Sequence, residues 1–166
     1  MRLADIPQGT SCFVDANILL YALTNHPAYG AACAEFLKRV ENQEVVALTS
    51  TNVLGDVVHR LMTIEACDRF GWPQQGIANR LRRHPNEVRA LTGARQKLHD
   101  IQAARVAFLR VDSQHVFTAA DLTQQTGLLY GDALIVAMMR DQGLTQLAST
   151  DPDFDGIQGL TRYAPL

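Results

Sequence analysis

Short apolar runs alternate along the chain with longer stretches whose apolar residues recur every three or four positions, and that alternation predicts strands separated by helices. SCFV at 11–14 reads as a buried strand that stops at Asp15, with a helix through NILLYAL behind it. Asn25-His26-Pro27 breaks the pattern, and positions 28–40 then suit an amphipathic helix. VVAL at 45–48 is a second strand, and Thr49-Ser50-Thr51 offers N-cap residues for a helix through NVLGDVVHRLM. AFLRV at 107–111 is a third strand, with Ser113 as the expected cap of a helix over 114–126 that Gly127 ends. Gly131-Asp132 opens a helix through ALIVAMMR that Gly143 closes, and LTQLAS at 144–149 is a fourth strand running into Thr150-Asp151.

Strands joined by connections long enough to return across a sheet imply a parallel α/β architecture. In such sheets ligands bind beyond the strand C-termini. Asp15 and Asp151 both stand just past such an end. Each acid also has a plain structural reading: Asp15 as a helix cap, Asp132 as a first-turn acid favoured by the helix dipole, Asp151 as the start of an Asp-Pro turn. Asp56 borders the apolar stripe of Val53, Leu54, Val57 and Leu61, where a carboxylate needs compensation from His59, from Arg60 or from a bound cation. Carboxylates converging at one sheet edge would suit a hard cation such as Mg²⁺, which takes few protein ligands and leaves room for phosphate oxygens.

Charge adds a second feature. Nine of the fifteen basic residues lie between Arg69 and Arg110 against only Glu87 and Asp100, so that segment carries +7 and the rest −9 of a net −2. Gly71-Trp72-Pro73 and His84-Pro85-Asn86 punctuate this stretch, which reads as two or three helices with one starting near Asn86. Cys12, Cys33 and Cys67 fit neither a zinc pattern nor a disulfide framework and read as reduced small hydrophobes. No apolar run is long enough to span a bilayer, and the first residues lack the apolar stretch of a signal peptide, so a soluble cytoplasmic protein is expected.

Several activities lose support. Asp151-Pro152-Asp153-Phe154-Asp155-Gly156 opens like an EF-hand loop, but Arg162 stands where the bidentate Glu belongs and a strand, not a helix, precedes it. An Asp-nucleophile phosphatase needs a second Asp where Asn17 stands, and neither Lys38 nor Lys97 lies near a later strand end. Phosphate-binding glycine motifs are missing.

FVDANILLYAL at 13–23, TSTNVLGDVVHRL at 49–61, LLYGDALIVAMM at 128–139 and LASTDPDFDGI at 147–157 together resemble the PIN-domain nucleases, and the VapC-like toxins in particular. The resemblance implies a three-layer α/β/α fold with a central, mostly parallel sheet in a single domain over 1–166, with about 68–105 as a basic helical insertion. It implies a Mg²⁺- or Mn²⁺-dependent endoribonuclease in which Asp15, Asp56, Asp132 and Asp151 are both metal-holding and catalytic, using metal-activated water. Asp56 departs from the family, which normally has Glu there. Asn17 and Ser149 match supporting positions, and Asp153 and Asp155 are auxiliary candidates. A cognate antitoxin and a homodimer are further implications, with the helix over 28–40 offered as a surface for either. Arg80, Arg82, Arg83 and Arg89 are the expected contacts to RNA phosphates, and Trp72 and His84 candidates for stacking on bases. A catalytically silent RNA- or protein-binding module on the same fold is the alternative.

Overall fold

Cys12, Phe13 and Val14 are wholly buried because the strand they form lies in the middle of the sheet and is covered on both faces, which is why its sequence is an unbroken apolar run. In the computed structural model, which describes all residues from Met1 to Leu166, five strands form one sheet: β1 (Ser11–Val14), β2 (Val46–Ser50), β3 (Ala107–Leu109), β4 (Gln146–Ala148) and β5 (Thr161–Tyr163). Their order is β3-β2-β1-β4-β5 and every pair is parallel. The chain therefore builds outward from β1 in one direction through β2 and β3, then returns to build in the other through β4 and β5. The switch point lies between β1 and β4.

The helices are α1 (Ala16–Leu23), α2 (Gly30–Glu41), α3 (Thr51–Phe70), α4 (Ile77–Arg82), α5 (Pro85–Ala90), α6 (Gly93–Ala103), α7 (Ser113–Thr126) and α8 (Tyr130–Asp141). α1 packs on α2 and α3, α3 on α6, and α7 on α8. Right-handed crossovers put the first group on one face and the α7–α8 pair on the other, giving three layers. Ala133 to Met139 of α8 are all buried, as expected of a helix enclosed on every side. None of the helices is long and apolar enough to cross a membrane.

Several element ends differ from expectation for identifiable reasons. α3 starts where predicted, with the Ser50 hydroxyl accepting from the Val53 N–H at 3.1 Å, but runs on to Phe70. Its continuation is stabilised by a second, smaller apolar cluster in which Ala66, Ile77 and Leu81 are buried against Phe70, Trp72, Val88 and Leu91. β3 stops before Val111, whose N–H leaves the sheet to donate to the Thr51 hydroxyl at 3.3 Å. Asp112, not Ser113, caps α7: its carboxylate accepts from the His115 N–H at 3.1 Å while its own N–H donates to the His115 ring at 3.2 Å. β5 had no apolar run to mark it, since only Tyr163 of its three residues is buried.

Two further expectations change. The apolar positions of α2, Cys33, Phe36 and Val40, are buried in the main core, so the 28–40 helix offers no apolar face to a partner. The three cysteines are free, with Cys12 and Cys33 buried, and burial pushes both thiols up to about 12.

Two glycines make opposite predictions. A Cβ on Gly30 would come within 2.8 Å of the Asn25 carbonyl carbon, whereas one on Gly55, in the second turn of α3, would meet nothing. Gly30→Ala should lower stability by about 1–3 kcal/mol through that backbone clash, and Gly55→Ala should raise it by about 0.5–1 kcal/mol through helix propensity. Equilibrium urea unfolding of both variants checks this, and a stabilised Gly30→Ala would contradict the packing of the α1–α2 corner.

Candidate active site

β1 and β4 end side by side, and the residues that leave them are bonded to one another. The Asp15 N–H donates to the Ala148 carbonyl at 3.0 Å, extending the ladder one residue past β1. Its carboxylate then meets three donors: the Ala16 N–H at 2.6 Å, the Asn17 side-chain amide at 2.6 Å and the Ser149 hydroxyl at 2.7 Å. Asn17 accepts in turn from the Thr150 N–H at 3.2 Å, and the Ser149 oxygen from the Asp151 N–H at 3.0 Å. Ser149 is wholly buried, so its hydroxyl is occupied in fixing Asp15 and orienting the start of the Asp151 segment.

Asp15, Asn17, Asp56, Asp132 and Asp151 line one cavity of about 400 Å³, together with Ala16, His59 and Arg60. Asp56 enters from α3 and is exposed, with a 3.4 Å bond from the Asn52 amide one turn earlier. Asp132 enters from the first turn of α8. Asp151 caps the short 3-10 turn Pro152–Gly156 by accepting from the Asp153 N–H at 2.9 Å. The four acids named from sequence thus surround one space, at the edge where a doubly wound sheet places ligands.

The electrostatics follow from that crowding. Burial pushes the Asp15 carboxyl above the usual carboxylate range, against the pull of its three donors, and the charge of Asp151 adds to the rise. Burial also raises Asp56, opposed by the charges of His59 and Arg60. Asp132 is pushed up to about 6, first by burial and then by Asp151, Asp15 and Asp153. As the side chains stand, no three His, Cys, Asp or Glu groups are close enough to share an ion. The four carboxylates nonetheless offer only oxygen ligands, and His59 and Arg60 offset only part of their charge, which fits a hard divalent cation and not a thiolate site.

Other predicted residues lie elsewhere. Asp153 is exposed at the rim, where its charge reaches Asp132. Asp155 turns away into a bidentate ion pair, accepting two hydrogen bonds from Arg162 at 2.7 and 2.8 Å, and Arg162 also donates to the Ser149 carbonyl at 3.2 Å. Arg80, Arg82, Arg83 and Arg89 are exposed on α4, α5 and the turn between them. Those helices pack at the far end of α3, around Ala66, about 15 Å along the helix from Asp56. Trp72 is not free to stack on a base. It lies between Phe70 at 4.9 Å and His84 at 5.0 Å, with the Arg80 guanidinium 4.9 Å from its ring.

A larger cavity of about 500 Å³ opens between the end of α1, α3 and α6, lined by Leu23, Leu61, Ile64 and Ala94 among others. It holds none of the four acids. Sequence reasoning placed His59 and Arg60 only as charge compensation for Asp56. Both line the acidic cavity, and their positions three and four residues after Asp56 carried the signal.

The profile of the PIN domain family matches residues 12–160. The chain belongs to the PIN-domain family. Solved structures share the fold at low identity. VapBC2 from Rickettsia felis, bound to a DNA fragment of its promoter, aligns at 18% identity and TM-score 0.59 over 93% of this chain and 98% of that one. VapC20 of Mycobacterium tuberculosis, a sarcin-ricin loop cleaving toxin, aligns at 18% and 0.59 over 90% and 98%. A toxin–antitoxin complex from Klebsiella pneumoniae aligns at 14% and 0.57 over 90% and 95%. Among curated proteins no match is found.

Charge crowding in this PIN domain has a measurable consequence. A carboxyl raised to about 6 favours the folded state while it is protonated, so its contribution is fully present below the unfolded value and is lost as pH rises through about 6. In EDTA, Asp132→Asn should therefore melt above the parent protein at pH 7.5, by about 1–2 kcal/mol once solvent screening is allowed for. The gap should close towards pH 4. A variant that melts with or below the parent at pH 7.5 would show that the acids do not repel one another in the fold.

Proposed function

We propose that this PIN domain is an endoribonuclease that hydrolyses RNA phosphodiester bonds with Mg²⁺ or Mn²⁺ and serves in the cytoplasm as the toxin of a toxin–antitoxin pair. The observation that carries the proposal is the meeting of Asp15, Asp56, Asp132 and Asp151 around one cavity at the β1–β4 switch point. The fold shared with VapC20, described as a sarcin-ricin loop cleaving toxin, supports RNA as the substrate, with rRNA or tRNA the class to test. The fold shared with two toxin–antitoxin assemblies supports a protein antitoxin. A homodimer is part of the same proposal, and so is the division into one domain with 68–105 as a basic helical insertion.

In this reading Asp15, Asp132, Asp151 and Asp56 hold the metal. A divalent cation bound there supplies charge stabilisation at a phosphoryl oxygen and a lowered pKa for an attacking water. The chain's own residues supply the geometry. Ser149 and Asn17 lock the Asp15 carboxylate in place, so its orientation is set before substrate arrives. The Ser149 hydroxyl is buried and already donates to Asp15, so it is not a nucleophile. Asp56 is one methylene shorter than Glu and stands exposed on the α3 side, held only by Asn52.

Incubation of the purified protein with a total tRNA and rRNA pool, in Mg²⁺, Mn²⁺ or EDTA, tests the proposal. Discrete fragments should form only with metal, and Asp15→Asn or Asp132→Asn should reduce cleavage by about a hundredfold or more. Cleavage that survives EDTA or both substitutions would reject the site. A folded protein that cleaves nothing under either metal would favour the silent module. Charge reversal at Arg82 and Arg83 should weaken RNA binding and flatten its salt dependence. An unchanged salt slope would remove the α4–α5 surface from the RNA path.

A further inference from the structure

The acidic cavity has one arginine, and it is unpaired. Asp56, His59 and Arg60 bring α3 to the cavity that Asp15, Asp132 and Asp151 also line. An Asp followed four residues later by Arg is well placed for an ion pair along a helix, yet that pair is not formed. The Asp56 carboxylate takes the Asn52 amide instead. At Arg60 it is only the main-chain carbonyl that receives a side-chain bond, from the Thr63 hydroxyl at 2.8 Å. Arg39 and Arg162 contrast with it: Arg39 holds Glu44 and the Leu3 and Ile6 carbonyls, and Arg162 holds Asp155 and the Ser149 carbonyl.

An exposed guanidinium is not unusual by itself. This one borders a space lined by four carboxylates, close enough for its charge to act on Asp56. A phosphodiester entering that space carries negative charge towards negative walls. A cation on the α3 side offsets part of that repulsion, and a planar fork of N–H donors matches the two non-bridging oxygens of a phosphate. The Arg cluster on α4 and α5 cannot do this, because it sits at the other end of α3.

We propose that Arg60 is a substrate-contacting residue that grips, from the α3 side, the phosphodiester held in the acidic cavity. The proposal rests on the nuclease reading and adds to it a residue outside the acidic set. It separates two roles within α3: Asp56 faces the metal, and Arg60 one turn later faces the phosphate. His59 shares the wall but has a single ring in place of a fork, so its loss matters less.

The test uses binding, not turnover. A fluorescein-labelled random-sequence single-stranded RNA is titrated with the cleavage-deficient Asp132→Asn protein in Mg²⁺, over a range of salt, with and without a second substitution. Arg60→Gln should weaken binding about tenfold and reduce the slope of log K against log salt by about 0.7, the loss of one phosphate contact. Arg60→Lys should keep the slope but regain only part of the affinity, because a point charge replaces a fork. His59→Gln should change the slope little. Arg60 is exposed, so the melting temperature of each variant should stay at the parent value. Unchanged affinity and slope in Arg60→Gln, with RNA still bound, would overturn this inference and leave the nuclease reading standing. Failure of both the unsubstituted and the Asp132→Asn protein to bind RNA in Mg²⁺ would overturn both.

Discussion

Asp15 carries a charge into a nearly closed corner of the fold, and the arrangement around it follows from how that charge is held. A carboxylate at the switch point of a parallel sheet loses most of its water. Three donors replace it: the Ala16 N–H, the Asn17 amide and the Ser149 hydroxyl. Two of these are themselves fixed by the β4 exit, since Asn17 accepts from Thr150 and Ser149 from Asp151. The ends of β1 and β4 are thus tied through one carboxylate, and Asp151 is delivered to the cavity by the same bonds that steady Asp15. A buried charge without such partners would cost several kcal/mol.

The remaining acids are less tightly held, and the difference is informative. Asp132 is presented by the first turn of a helix whose middle is wholly buried, so its backbone is fixed although its carboxylate has no protein partner. Asp56 projects from α3 into solvent at the mouth of the cavity. The cavity is thus held by several hydrogen bonds on the sheet side and by a single one on the α3 side. Beyond Asp56, α3 continues for more than three further turns and carries the basic helices away from the acids, anchored where the Glu65 carboxylate accepts from the Thr92 and Gly93 N–H groups. The α4–α5 arginines therefore sit at the far end of α3 from the acidic cavity, whereas Arg95 and Lys97 of α6 lie alongside the middle of α3, beside Leu54 and Leu61.

Much of the fold was legible because its signals are local. The apolar run before Asp15, the Ser50 cap and the Gly127 stop each act within a few residues, and each predicted element is present. β5 escaped because three residues with a single buried side chain leave no periodic trace. The apolar positions of α2 looked available to a partner because sequence shows which face is apolar but not what already covers it. At the site, Asp15, Asp56, Asp132 and Asp151 were identified by strand ends and by family resemblance. Three-dimensional information was needed to pair Asp155 with Arg162 and to show Trp72 packed under Arg80. Arg60 was read as compensation for Asp56 because its spacing favours that pair. In the folded chain that pair is not made.

Calorimetric titration of Mn²⁺ into the metal-free protein, beside Asp132→Asn, examines the centre itself without depending on any particular RNA. Saturable binding by the parent that is lost or greatly weakened in the variant is the expected result, since the variant removes an oxygen ligand and part of the charge that draws the ion in. Equal binding by both proteins, or none by either, would contradict the assignment of this cavity as a metal-dependent active site.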